Sequence, residues 1–160
     1  MTDREINWRL VLEAPYAPTP ENDVEVALKL ASLKKGELLY DLGCGDGRVI
    51  ITAAKNFGAQ AIGFEIQDEL IEEALMKIHE AGLDNVASVL KRDFFCENLS
   101  DADVVFLFLT PSILDAVADK LGKELRHCSR VVAYRYPLKK WMPSISVSTQ
   151  SGHSLFLYTR

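Results

Sequence analysis

LLYDLGCGDGRVIIT, residues 38–52, contains three glycines within five residues. An apolar run that contains Asp41 precedes the glycines, and a second apolar run follows them. This order predicts a buried strand, a tight turn and a helix. Glycines in such a turn permit unusual backbone angles, and the start of the helix offers unpaired N–H groups. We therefore expect a ligand to approach the main chain at Gly43, Gly45 and Gly47.

Apolar strands and amphipathic helices alternate along most of the chain. The first clear helix has Thr19 as a good N-cap and Pro20 in the N1 position. The last two apolar runs are separated only by a turn around Gly152, so they should form an antiparallel hairpin. We expect an α/β fold with a doubly wound, mostly parallel, Rossmann-like sheet and an antiparallel C-terminal edge. The predicted strands are ELLYDL, AQAIGFEI, NVASVLK, DVVFLFL, RVVAYRY, SISVST and HSLFLYT.

Length and charge limit the organisation and the partners of the chain. A chain of 160 residues favours one domain, 1–160, with an N-terminal arm and helix at 1–35 and the sheet core at 36–160. The net charge of −5 argues against nucleic acid as the main partner, because phosphate binding usually needs a basic surface. No apolar run reaches the roughly 18 residues of a membrane span, and no secretion signal is evident. We expect a cytoplasmic, monomeric protein.

The cysteines and histidines do not have the spacing of metal ligands. The three cysteines lie far apart and form no CxxC pair, and an odd number makes a poor disulfide framework. The three histidines are scattered along the chain. We therefore expect a reducing compartment and no metal site.

Two acidic residues narrow the choice of ligand. A dinucleotide fingerprint, G-x-G-x-x-G, would place its third glycine at position 48, where this chain has Arg48. Asp41, before the glycines, can provide a carboxylate to a ligand that carries a positive charge. Glu65 follows Gly43 by 22 positions (65 − 43) and ends the second strand. An acid in that position can accept two hydrogen bonds from ribose hydroxyls.

Asp93 and Phe94 follow the third predicted strand. Asp93 can accept a hydrogen bond from the exocyclic amino group of adenine, and Phe94 can cover the adenine face. Each position also has a purely structural explanation. Glu65 can cap the next helix, Asp93 can cap a short turn, and both Phe94 and Phe95 can belong to the core.

These elements, taken in order, resemble a known family. The acid within D-x-G-x-G-x-G, the second acid and the aspartate after the third strand resemble those of class I S-adenosylmethionine-dependent methyltransferases over about residues 16–136. PYAPTP at residues 15–20 and DFF at residues 93–95 resemble the small archaeal protein lysine methyltransferases and their mitochondrial relatives. The N-P-P-Y type loop of DNA and glutamine N-methyltransferases is absent after the fourth strand. The stretch VVAYRYPLKKW around the fifth strand departs from the lysine methyltransferase group.

The resemblance implies a cofactor, an activity and further site residues. It implies that S-adenosyl-L-methionine is the cofactor and that PYAPTP folds over it, with Tyr16 and Thr19 near its methionine end. It also implies that Ile66, beside the second acid, contacts the cofactor. The implied activity is protein-lysine N-methylation on exposed lysines, for which Tyr16, Thr110 and Tyr134 are candidate walls of an aromatic acceptor channel.

Other interpretations fit the same pattern. A small-molecule methyltransferase has the same fold but usually carries an added lid. A non-catalytic cofactor-binding subunit would keep Asp41 and Glu65 and have a blocked methyl-side pocket. Tyr16 can also be a hydrophobic staple before the first helix.

Overall fold

A computed structural model describes residues 16–160 of the chain. The stretch up to Ala14, for which the sequence suggests an extended arm or a short helix, lies outside the described residues. The helices are α1 (Glu21–Leu30), α2 (Arg48–Phe57), α3 (Asp68–Glu80) and α4 (Pro111–Glu124). The strands are β1 (Leu38–Leu42), β2 (Gln60–Glu65), β3 (Ala87–Lys91), β4 (Val104–Leu107), β5 (Arg130–Tyr134), β6 (Ile145–Ser148) and β7 (Ser154–Thr159).

Within residues 16–160 the seven strands form one sheet in the order β3-β2-β1-β4-β5-β7-β6. Strands β1 to β5 pair with one another in parallel. β7 pairs antiparallel with both β5 and β6, which confirms the predicted hairpin at the C-terminal edge. The strand order reverses between β1 and β4, and in open α/β sheets a ligand crevice forms at the carboxyl end of such a reversal.

The helices cover both faces of the sheet because each has an apolar stripe. Helices α1, α2 and α3 bury theirs in one cluster with one face of the sheet, as Leu28, Ile50 and Ile78 illustrate. Helix α4 packs Leu114 and Leu121 into a second cluster on the opposite face. The doubly wound prediction is therefore confirmed.

Close packing explains a glycine in the interior of β2. A Cβ atom added to Gly63 would lie 2.4 Å from the Sγ atom of Cys44 and 2.6 Å from its Cβ atom. The missing side chain therefore lets the buried Cys44 of the turn after β1 rest against β2. The thiol serves here as an apolar packing group. Burial is the largest cause of the raised pKa of Cys44.

The start of α1 differs from the prediction by one residue. The carbonyl of Pro20 accepts hydrogen bonds from the N–H groups of Asp23 and Val24 at 3.0 Å, so Pro20 occupies the N-cap position in place of Thr19. The side chain of Thr19 makes no capping bond and is buried. No helix in residues 16–160 combines the length and apolar character needed to cross a membrane.

Candidate active site

A cavity of about 240 Å³ opens at the carboxyl ends of the parallel strands. The turn after β1 and the residues that follow β2 and β3 line one half of it. Residues 108–110 after β4 and 135–136 after β5 line the other half, and residues 16–19 complete the wall. The fold thus brings together segments that lie far apart in the sequence.

The glycine turn faces the cavity and also contacts side chains from other parts of the chain. Gly45 has a φ of +54°, and a Cβ atom there would lie 2.7 Å from the ring of Tyr16. Gly43 also lines the cavity. Gly47 is not among the lining residues, because it is the N-cap of α2 and packs against Ala74 of α3. The expected access to the main chain therefore concerns Gly43 and Gly45.

The carboxylate of Glu65 is held at the end of β2 by main-chain donors. One oxygen accepts from the N–H of Gly45 at 2.9 Å, and the other accepts from those of Ile66 and Gln67 at 2.9 and 3.2 Å. The side chain is buried and lines the cavity, as does Ile66. A carboxylate has about four acceptor positions, so this fixed group keeps capacity for a ligand hydroxyl. The local capping role and a ligand role are thus compatible.

Asp41, near the end of β1, is a buried acid. It is 3% exposed and lines the cavity. Among residues 16–160, no hydrogen-bond donor or basic group pairs with its carboxylate. Burial raises the pKa of Asp41 well above its usual range, and the nearby Glu65 and Asp46 add to the shift. A cationic ligand group at this place would provide the missing charge.

Asp93 and Phe94 lie together at the carboxyl end of β3. Asp93 precedes a 3₁₀ turn, Phe94–Cys96, and accepts a hydrogen bond from the N–H of Phe95 at 2.8 Å. The ring of Phe94 is buried, its centroid is 4.7 Å from that of Phe95, and it lines the cavity together with Asp93. The predicted structural role of Asp93 is confirmed, and its position also leaves it facing the cavity.

Sequence reasoning missed an ion-pair cluster behind the glycine turn. Arg48 binds Asp46 through two nitrogens, with Nε to Oδ1 at 3.1 Å and Nη2 to Oδ2 at 2.8 Å. Lys77 of α3 binds the same Oδ2 at 2.8 Å. Burial acts to raise the pKa of Asp46, but the bonds from Arg48 and Lys77 outweigh it and lower the pKa well below the usual range. No spacing rule reveals the pair, because side chains two positions apart do not face each other on a helix and Asp46 lies in the turn before α2.

The structure brings two of the three proposed channel residues to the cavity. Tyr16 and Thr110 line it, and Tyr16 is 45% exposed. Tyr134 does not line it: the ring is 2% exposed, and its hydroxyl donates to Asp23 of α1 at 2.7 Å. Tyr134 packs with α1 because alternate side chains of β5 point to opposite faces of the sheet, and Tyr134 lies on the face that α1 covers. Arg135 and Tyr136 line the cavity instead.

Comparison with known proteins decides the family. Residues 41–145 match the model of the ANTKMT methyltransferase domain. The chain belongs to this family. It is 41% identical to a protein-lysine N-methyltransferase of Saccharolobus islandicus over 92% of its own length and 94% of that protein. It is 34% identical to the adenine nucleotide translocase lysine N-methyltransferase of Mus musculus over 84% of its own length, but it spans only 58% of that protein.

A solved structure supports the same assignment and identifies the cofactor. The crystal structure of an RNA methyltransferase from Salinibacter ruber in complex with S-adenosyl-L-homocysteine matches with a TM-score of 0.86 and 34% identity, covering 89% of this chain and 93% of that one. This ANTKMT-family chain is an S-adenosylmethionine-dependent methyltransferase with a Rossmann-like fold. The cavity fits that cofactor, since residues 16–160 present an acid for a cation with no counterion among them, a fixed acid for a hydroxyl and a buried aromatic ring.

Proposed function

We propose that this chain is a protein-lysine N-methyltransferase that modifies exposed lysines of other proteins. The observation that carries the proposal is the composition of the cavity wall after β4 and β5. Among the described residues, the lining there is apolar, aromatic, hydroxyl-bearing and cationic, with no carboxylate or histidine. Such a wall suits an amine that enters already neutral, because no group in it could serve as a strong base. The archaeal relative of that name supports the same acceptor.

The residues of this wall suit a lysine side chain. Phe108 and Tyr136 provide apolar and aromatic surface for the four-carbon stem. The ε-amine must lose its proton first, and its reference pKa is about 10.4. Burial and the positive charge of Arg135 would both lower the pKa of an amine placed there. When bound, S-adenosylmethionine supplies a methyl group activated on a sulfonium. The chain's contribution is to align the amine and to exclude water.

We propose the following roles for the remaining site residues. Asp41 balances the positive charge of the methionine moiety, and Glu65 accepts from a ribose hydroxyl beside Ile66. Asp93 accepts from the adenine amino group, and Phe94 covers the ring. The same proposal places Tyr16 and Thr19 over the methionine end, Gly43 and Gly45 below it, Gly47 behind the turn, and Thr110 at the acceptor entrance with Tyr136 in place of Tyr134.

The relatives differ in the acceptor that their names give, so the acceptor requires a direct test. The structural relative from Salinibacter ruber is named an RNA methyltransferase. The net charge of −5 disfavours RNA here, since phosphate contacts need a basic surface. We propose a monomeric, cytoplasmic enzyme whose main partner is protein. Free cysteines, two of them exposed, support a reducing compartment.

The test is transfer of a labelled methyl group from S-adenosylmethionine into a cell lysate. We expect label in protein, unaffected by nuclease treatment and lost when the lysines of the lysate are acetylated beforehand. Label that disappears after nuclease treatment would favour RNA, and label in the dialysable fraction would favour a small-molecule acceptor. An Asp41→Asn variant provides the inactive control.

A further inference from the structure

Arg48 occupies the position that a third glycine would hold in a dinucleotide fingerprint, and its guanidinium joins two segments. Beyond its two bonds to Asp46, it donates through Nη1 to the carbonyl oxygen of Thr19 at 2.9 Å. The side chain is partly buried in the cavity wall. The single residue Arg48 therefore connects the glycine turn to the segment that precedes α1.

The far end of this connection is firmly held. The side chain of Asp46 is 5% exposed and also accepts from Lys77, which in turn pairs with Glu73 one helical turn earlier at 2.6 Å. The main-chain N–H of Arg48 donates to Asp46 at 3.3 Å as well. An acid bound by two cations in a buried place stays ionised, so it holds Arg48 in one orientation.

The near end of the connection lies over the cavity. Residues 16–19, which we call the 16–19 segment, form part of the cavity wall. The ring of Tyr16 covers Gly45 so closely that no Cβ atom fits between them. Burial and the neighbouring charge of Asp46 raise the pKa of Tyr16. The Tyr16 side chain therefore lies beside Asp46, while the Thr19 carbonyl accepts from Arg48, so both residues contact the same ion pair.

We infer that Arg48 is a positioning residue that holds the 16–19 segment across the cofactor cavity and thereby slows release of the cofactor product. The inference rests on the proposed placement of the cofactor beneath Tyr16. It gives a physical reason for an arginine at a position where dinucleotide-binding proteins need glycine: the Arg48 side chain holds the 16–19 segment over the cavity.

Binding of S-adenosyl-L-homocysteine without any acceptor tests this directly. We expect Arg48→Met to speed dissociation of S-adenosyl-L-homocysteine by about tenfold or more in stopped-flow measurements, since a charge-assisted bond to the 16–19 segment is lost. Arg48→Lys keeps a positive charge beside Asp46 but lacks the planar guanidinium that contacts Asp46 and Thr19 together. This variant should also release S-adenosyl-L-homocysteine faster, while remaining as stable as the native protein. Arg126→Met is the matched control, because Arg126 likewise bridges a carbonyl, of Asp101, and a carboxylate, of Asp103, on the surface.

Two further readouts separate positioning from a general loss of structure. Hydrogen exchange should show ligand-induced protection of the amides of Tyr16, Ala17 and Thr19 in the native protein and its loss in Arg48→Met, with α2 protected in both. Combining Arg48→Met with Tyr16→Ala should weaken binding by less than the product of the two single losses.

Dissociation within about twofold of the native rate, unchanged protection of the 16–19 segment, or fully multiplicative losses would each overturn the inference. The proposed placement of the cofactor is checked separately through Glu65→Gln. If that variant also binds S-adenosyl-L-homocysteine normally, the cofactor placement is what has failed. The lysine acceptor plays no part in any of these measurements.

Discussion

Glu65 at the end of β2 accepts a hydrogen bond from the main-chain N–H of Gly45 at 2.9 Å, so the second acid of the motif supports the glycine turn directly. The same carboxylate therefore has two roles in our account, one toward the turn and one toward the ribose. The backbone contacts fix its orientation before any ligand arrives. Such preorganisation lowers the ordering cost of binding.

Glu65→Gln should weaken S-adenosyl-L-homocysteine binding about ten- to a hundredfold. The amide replaces one acceptor oxygen with a donor that faces main-chain N–H groups, and it removes charge-assisted bonds of about 1.5–3 kcal/mol each. Calorimetry gives the affinity, and thermal unfolding should show a modest loss of stability from the loosened turn. Glu69→Gln, on the exposed first turn of α3, is the control. An affinity within about twofold of the native value would contradict the role of Glu65.

Asp41→Asn should stabilise the ligand-free protein at neutral pH while weakening cofactor binding. The raised pKa of Asp41 means that the folded state holds this proton more tightly than the unfolded state does. Stability is therefore lost as pH rises from the ordinary carboxyl range, about 3.9, through the raised folded pKa. Replacing the carboxyl group with an amide removes this pH-dependent loss of stability. The variant should therefore unfold at a higher temperature than the native protein near pH 7, and the two unfolding temperatures should converge toward pH 4.

Cofactor binding should also release a proton from Asp41. A cation beside the carboxylate lowers its pKa, so calorimetry in two buffers of different ionisation enthalpy should detect the released proton, and Asp41→Asn should abolish the release. A variant less stable than the native protein at every pH would show that Asp41 is stabilised by a partner that our account does not include.

Gly45→Ala should weaken cofactor binding by displacing Tyr16. The substitution carries backbone strain from the positive φ and also places a Cβ atom 2.7 Å from the ring. Gly82→Ala is the matched control, since Gly82 has a φ of +68° with no atom within 4 Å of the added Cβ. We expect both variants to lose about 1 kcal/mol of stability and only Gly45→Ala to lose affinity. Equal affinities for the two variants would count against the placement of Tyr16 at the site.

Cys44 should be unreactive toward thiol reagents in the native protein. It is buried, and burial raises its pKa, whereas Cys96 and Cys128 are exposed. Titration with a disulfide reagent should therefore modify two thiols in the native state and the third only on unfolding. Mass spectrometry identifies the sites. Rapid native labelling of Cys44 would show that the contact with Gly63 opens readily.

The sequence was sufficient to predict the parallel part of the sheet, the hairpin at its edge and the positions of Asp41, Glu65 and Asp93 at the carboxyl ends of the strands. These follow from local apolar patterns and from the rule that strand ends meet at one edge. The position of Tyr134 could not be predicted in the same way. β5 ends at Tyr134, and Arg135 has a φ of +72°, so the chain turns there and the alternation of the strand no longer tells which side chain faces the cavity.

Other misses arose from contacts between distant parts of the chain. The bond from Arg48 to the Thr19 carbonyl joins residues 29 positions apart, and the fit of Gly63 against Cys44 depends on the register of β2 with β1. The one-residue error at α1 has a local cause. Both Thr19 and Pro20 are acceptable at a helix start, and the carbonyl of Pro20 proves to be the first acceptor.

The pH dependence of the reaction should reflect a lysine acceptor. The value of kcat/KM should rise from about pH 7 toward pH 9, because the free lysine must lose its proton. The net charge of −5 should favour lysine-rich surfaces, so the rate should fall as salt screens the attraction. A rate independent of pH over this range would indicate an acceptor that needs no deprotonation.

Peptide mass spectrometry of a mixed protein substrate, after reaction with the enzyme and isotopically labelled S-adenosylmethionine, identifies the atom that accepts the methyl group. We expect labelled methyl groups on lysine ε-nitrogens in exposed segments, and no labelling with Asp41→Asn. Methyl groups found only on arginine or on carboxylates, or label recovered only in the RNA or dialysable fraction of the mixture, would contradict a lysine acceptor.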